Sequence, residues 1–169
     1  MSRLFVAVRA ALYVTGFVTL WGWLGLSAAR WDHVAGRTLP GGEGPVNAEV
    51  AGIALMAVGG VLTLTCAAYF VVEGKGTPAV FDAPRVFVAA GPYRFVRNPM
   101  YLGGLAVLLG FGLILRAPSV LGLALLAALF VHFFVLFVEE PGLRHRFGES
   151  YLAYKRTTNR WLPRLRRAA

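Results

Sequence analysis

Four apolar blocks, separated by short polar stretches, constrain this chain more than any other feature. They run over residues 4 to 26, 48 to 72, 99 to 115 and 119 to 138. At 1.5 Å per helical residue the first, second and fourth can each reach across about 30 Å of hydrocarbon. The third sits at the lower length limit, so a tilt or a displaced turn has to complete its crossing. Hydrophobic residues make up 57% of the 169 and charged ones only 15%. Because the apolar residues lie in blocks and do not alternate, this composition excludes a soluble domain and points to an integral membrane protein.

Within the first block, Arg9 lies early enough to snorkel to the N-terminal surface, and Trp21 and Trp23 suit the opposite interface. Ser27-Ala28-Ala29 has the look of a signal-peptidase site, but the preceding apolar run is longer than a signal sequence needs, so the block is read as a retained span. Residues 27 to 47 carry Asp32, His33, Gly36, Pro40, Gly41, Gly42, Gly44 and Pro45, which predicts a turn-rich loop with no catalytic spacing. In the second block Gly52, Ala57, Gly59 and Gly60 offer a small-residue surface for close helix packing, and Glu49 and Glu73 mark its hydrated ends. The single cysteine, Cys66, excludes a disulfide framework and a cysteine-ligated metal site, and no metal is expected. His132, inside the fourth block, is either a functional intramembrane group or a partner for a neighbouring helix.

Net charge is +9, yet the aromatic residues do not interleave with the basic ones as a nucleic-acid stacking platform requires. Position explains the charge better. With four spans, 14 of the 17 basic residues fall on one side, including Lys75, Arg85, Arg94, Arg97 and the tail, and Arg30, Arg37 and Arg116 fall on the other. The positive-inside rule then puts both termini and the loop at 73–98 in the cytoplasm.

That loop, EGKGTPAVFDAPRVFVAAGPYRFVRN, is too irregular to cross hydrocarbon and too rich in Val and Phe to be a mere linker. Its last part begins the stretch Gly91 to Tyr101, in which Gly91 permits close backbone approach and Pro92 and Pro99 fix local geometry. Arg94 and Arg97 offer forked donors to a carboxylate. A basic loop obeying the positive-inside rule accounts for the same residues. About forty residues later come Glu139 and Glu140, which meet the loop if the intervening hairpin crosses and returns. Neighbouring carboxylates on a helix point about 100° apart, so one can bind a ligand ammonium and the other Arg97 or Arg144. Hydrated acids at a stop-transfer boundary are the plainer reading. Pro141 predicts a break or restart of the helix at Glu140. Beyond it, Leu143, Phe147, Tyr151 and Tyr154 recur at helical spacing, as in an interfacial helix lying on anionic lipid.

GPYRFVRNPMYLG, a hydrophobic hairpin, EEPGLRHRFGESYLAYKR and a final WLP, together residues 91 to about 163, resemble the C-terminal signature of the isoprenylcysteine carboxyl methyltransferase and phospholipid methyltransferase superfamily. The resemblance implies an S-adenosylmethionine-dependent membrane methyltransferase, with lipid substrate entering from the bilayer and the cofactor in a cytosol-facing pocket. It implies cofactor-binding roles for Tyr93, Arg97, Asn98, Pro99, Tyr101, Glu139, Glu140, Tyr151 and Tyr154. Catalytic roles follow for Glu140, Arg144 and Tyr101, with Glu140 or Tyr101 taking the proton if the acceptor is an amine. Asn98 stands where the family more often has His, so a titrating imidazole is absent there and a binding role survives. A carboxylate, amine or thiol acceptor fits the sequence equally. A non-catalytic scaffold or lipid-binding protein of the same fold, or a nicotinamide-dependent membrane reductase, are the competing readings.

The expected fold is therefore an all-α integral membrane protein with about four transmembrane helices, a C-terminal helical hairpin and a cytosolic amphipathic helix. It forms one membrane domain over 1–169, made of two N-terminal spans (1–72), a cytosolic motif loop (73–98), the hairpin (99–138) and a cofactor-closing tail (139–169).

Overall fold

The computed structural model describes residues 3–39, 48–77 and 84–164. Pro40, Gly41, Gly42, Gly44 and Pro45 of the first loop, part of the 73–98 loop, and Arg166 and Arg167 of the tail lie outside the described residues. Five helices follow in order: α1 (Arg3–Val34), α2 (Ala48–Val72), α3 (Pro99–Ile114), α4 (Pro118–Phe134) and α5 (Glu140–Thr157). A 3₁₀ turn at Gly91–Arg94 precedes α3, and a π turn at Val135–Glu139 joins α4 to α5.

The protein is an all-α membrane protein. Three helical stretches, Leu4–Val34, Ala48–Val72 and Pro118–Thr157, are long and apolar enough to cross a bilayer. The 16 residues of α3 reach only about 24 Å. Its C-terminal end closes at Arg116, a non-glycine residue at φ 50°. The Arg116 amide donates to the Leu113 carbonyl and the Ala117 amide to the Gly112 carbonyl, the bond pattern that ends many helices on a glycine. Arginine bears the left-handed conformation here while its guanidinium reaches Glu49 at 2.8 Å, tying the hairpin turn to the start of α2.

One expectation about helix limits is corrected. Residues 27 to 34 are not loop: α1 continues through them and places Asp32 at the start of α4, where its carboxylate accepts from the Ser119 amide at 2.7 Å and hydroxyl at 2.6 Å. No side chain of α4's own N-cap residue, Ala117, caps that helix, so Asp32 serves as a cap supplied by another helix. Of the break or restart expected at Glu140, the chain shows the restart: α5 begins there, with Pro141 in its first turn and the backbone helical across the junction. Proline lacks an N–H and its ring crowds the carbonyl four residues back. The wider π turn just before Pro141 accommodates both, and the Glu140 amide donates to the Val135 carbonyl.

The spans pack as glycine spacing suggested. α2 and α3 approach so closely that a Cβ on Gly59 would lie 2.5 Å from the Gly103 carbonyl oxygen, and one on Gly52 would lie 2.7 Å from that of Gly110. Leu108, Val120 and Ala124 with Ala29 form the buried seam of α1, α3 and α4. Leu12, Phe17 and Trp23 of α1 and Leu126, Phe130, Phe133 and Phe137 of the fourth span project outward, as side chains solvated by lipid do.

Candidate functional site

At one end of the bundle the loop before α3 and the start of α5 meet, so the hairpin returns to the end from which it began. The Arg97 guanidinium donates to Glu140 at 2.8 Å and the Tyr101 hydroxyl to Glu139 at 2.8 Å. Both Glu139–Tyr101 and Glu140–Arg97 are therefore contacts between the two sequence blocks, and the two carboxylates point to different partners.

Glu140 is the hub. Besides Arg97, it accepts from Lys155 at 2.8 Å and from Arg160 at 2.7 and 3.0 Å. Burial opposes its ionisation, but the hydrogen bonds from Arg160, Lys155 and Arg97 outweigh this and pull its pKa down to about 2. A carboxylate held in this way has no capacity to take up a proton at neutral pH.

The Lys155 contact also reveals the shape of α5. Residues 140 and 155 would stand about 22 Å apart along a straight helix, yet their side chains touch. Gly148, at φ 52° and ψ −127°, folds the helix back on itself, a conformation that glycine adopts without strain.

The segment after α5 then runs under the motif loop. The Arg97 amide donates to the Asn159 carbonyl at 2.8 Å, its guanidinium to the Thr158 carbonyl at 2.5 Å, and the Asn98 side chain to the Arg160 carbonyl at 3.3 Å. Val96 and Asn159 form an isolated parallel bridge. Trp161 donates to His132 Nδ1 at 3.1 Å, so the intramembrane histidine is a partner for the tail.

Between these elements lies a cavity of about 260 Å³, close to the lower end of small-molecule sites. One wall is aromatic: Phe87 packs against Phe147 at 5.3 Å, Tyr151 at 6.0 Å and Tyr154 at 5.2 Å, and Phe70 stacks on Tyr93 at 5.1 Å. The Tyr154 hydroxyl donates to the Tyr93 carbonyl at 2.6 Å and fixes that wall. Gly91, at φ 55°, allows the loop to pass against Tyr69, whose ring a Cβ would overlap. Burial raises the pKa of the Tyr93 and Tyr154 phenols, and that of Tyr151 to about 12, so all three stay protonated as donors.

Of the residues the resemblance singled out, Tyr93, Arg97, Asn98, Tyr101, Glu139, Glu140, Tyr151 and Tyr154 line the cavity. Two do not. Pro99 is buried in the first turn of α3, where its fixed φ starts the helix. Arg144 lies on the opposite face of α5, in an outer groove with His145. Leu143, Phe147, Tyr151 and Tyr154, whose spacing suggested a face laid on lipid, turn into the cavity instead. The residues that spacing did not reveal are Phe87, Lys155, Thr158 and Arg160; the Val- and Phe-rich character of the 73–98 loop was the one signal for Phe87.

The donor set suits a nucleoside-bearing cation such as S-adenosylmethionine. Flat aromatic walls accept a ring. The Tyr151 hydroxyl and Arg97 Nε are buried without a hydrogen-bond partner, polar capacity that a ligand can satisfy. Glu139 meets no cation among the described residues.

Residues 48–150 match the phospholipid methyltransferase family. The chain belongs to that family. A phosphatidylethanolamine N-methyltransferase from Talaromyces marneffei is 36% identical over 70 residues, a stretch that covers 41% of this chain and 7% of that relative. No solved structure matches the chain. The family match spans α2 to the first arm of α5 and includes the loop before α3 and the π turn, which together with that arm carry most of the cavity wall.

Proposed function

We propose that the protein methylates the amine of a phospholipid headgroup, using S-adenosylmethionine, at the cytosolic face of the membrane. The observation that carries this reading is the division of labour between the two glutamates. Glu140 is consumed by three cations and orders the pocket, whereas Glu139 presents a carboxylate to the cavity and, among the described residues, accepts only from the Tyr101 hydroxyl. A negative group facing a cavity walled by aromatic faces favours cationic ligands, a sulfonium or an ammonium, over a carboxylate acceptor. The family match and the name of the fungal relative support an amine in the same way.

S-adenosylmethionine, when bound, supplies an electrophilic methyl group. Tyr93, Tyr151, Tyr154 and Phe87 form the surface that would hold its ring system, with Arg97 Nε and the Tyr151 hydroxyl as unused donors at the wall. Glu139 holds an ammonium in place, and its Oε2, paired with the Tyr101 hydroxyl, takes the proton an amine must lose before it can attack. The strap at Thr158–Trp161 and the aromatic wall keep water from the pocket. Arg97 and Asn98 position the strap. The excess of basic residues at this end favours a cytoplasmic position for it and for both termini.

Calorimetry of the detergent-purified protein with S-adenosylmethionine tests the pocket. Micromolar binding that weakens by about tenfold or more in Glu139→Gln is expected, from loss of a charge-assisted contact. Labelled methyl groups should then appear on phosphatidylethanolamine and not on a prenylcysteine carboxylate. Folded protein that binds no cofactor overturns the reading, and label on the carboxylate alone overturns the choice of acceptor.

A further inference from the structure

The fold leaves a second concavity on the outer side of α5, and nothing in the proposed reaction uses it. It has a volume of about 460 Å³ and is lined by Leu136, Pro141 and Leu152 with Arg144, His145 and Lys155. It forms because the kink at Gly148 brings Lys155 back beside the first arm of the helix. Lys155 is half-engaged by Glu140 and remains 44% exposed, while Arg144 and His145 are exposed and make no hydrogen bond or ion pair among the described residues.

Its position is as telling as its charge. Leu136 lies one helical turn before Glu140, and next to it Phe133 and Phe137 stack at 6.1 Å with more than half their surface facing outward. The three basic side chains therefore stand directly above lipid-facing aromatics, at the depth where phosphate groups lie. Such a groove presents cations to the phosphate and apolar walls to the first part of the lipid.

We infer that this groove binds the phosphate of an anionic membrane phospholipid, distinct from the lipid that reacts. The two cavities share only Glu140 and Tyr151, both buried, and lie on opposite faces of the first arm: Gly142, Leu143 and Phe147 face inward, Pro141, Arg144 and His145 outward. The two-carbon arm between phosphate and amine in an ethanolamine headgroup is too short to pass through that wall, so one lipid cannot occupy both. Lys155 belongs to the groove and to the Glu140 hub, so two ion pairs, Lys155–Glu140 and Glu140–Arg97, link the groove to Arg97.

Native mass spectrometry of the full chain in detergent tests this without cofactor or turnover, so its outcome is independent of the methyltransferase reading. Phosphatidylglycerol is expected to bind about tenfold more tightly than phosphatidylcholine, with the preference reduced to near parity in Arg144→Gln/His145→Gln. Arg156→Gln/Arg164→Gln, which removes two charges from the same tail outside the groove, should keep it. Retained preference in the first variant, or equal loss in the second, overturns the site in favour of diffuse attraction by the tail. Displacement of phosphatidylglycerol by millimolar glycerol phosphate as complete as by excess lipid overturns a lipid occupant in favour of a soluble phosphate.

Discussion

The two ends of the helical bundle are tied by the same chemistry and differ in what is left over. At the hairpin end, Asp32 takes both the amide and the hydroxyl of Ser119, Glu49 takes Arg116, and the Leu39 amide donates to the Arg116 carbonyl at 2.9 Å. At the motif end, Glu140 takes Arg97, Lys155 and Arg160, and Glu139 takes Tyr101. Each end buries one carboxylate almost completely: Asp32 is 1% exposed and Glu140 5%. Among the described residues, the motif end also keeps a cavity, unpartnered polar atoms on its wall and, in Glu139, a carboxylate that meets no cation. A buried acid by itself therefore says little about function; incomplete satisfaction beside a cavity is the informative feature.

The comparison breaks most visibly at Glu140. Glu140→Gln leaves Arg97, whose side chain is 9% exposed, without its counter-charge, and should cost about 3–5 kcal/mol, read as a fall in the unfolding midpoint in detergent together with loss of cofactor binding. The pH dependence has a definite sign. Glu140's carboxyl is depressed from 4.5 to about 2 in the folded protein. Its contribution is therefore complete above pH 4.5 and lost as the pH falls towards 2. Wild type should lose more stability than the variant over that window. Parallel curves would show that the hub does not stabilise the fold.

Asp32→Ala sharpens the contrast from the other side. Loss of the cap on α4 should cost about 1–2 kcal/mol with no change in cofactor affinity. A variant that binds more weakly would mean that the two ends are coupled through the hairpin. The smallest effect is expected for Trp161→Phe, which removes the hydrogen bond to His132 while keeping an aromatic ring. About 0.5–1.5 kcal/mol of stability should go, and resistance of the tail to limited proteolysis should fall with it. An unchanged digestion pattern would show that Arg97 and Asn98 alone hold the strap.

Much of this was readable in the linear chain because hydrocarbon imposes strict rules. A span must satisfy its backbone internally and carry few charges, so apolar block lengths located α2, α3 and α4 closely. The acid–arginine meeting followed from hairpin geometry, and small residues at Gly52 and Gly59 marked the face of α2 that α3 contacts. Arg97 as the partner of one glutamate was foreseeable; which glutamate was not. That depended on the π turn, whose extra residue sets the direction of both side chains and is invisible to a count of 3.6 residues per turn.

What the sequence determined by itself was which segments are apolar enough to meet lipid, and that the two motif blocks share one surface. These are properties of local composition. The tertiary structure alone decided the roles within that surface. Gly148 reverses α5 and brings Lys155 and the strap with Arg160 to Glu140, Arg144 turns to the outer groove, and Tyr151 and Tyr154 turn inward. Those assignments rest on contacts between residues 15 to 62 positions apart, and no local pattern carries the direction in which a kinked helix folds back.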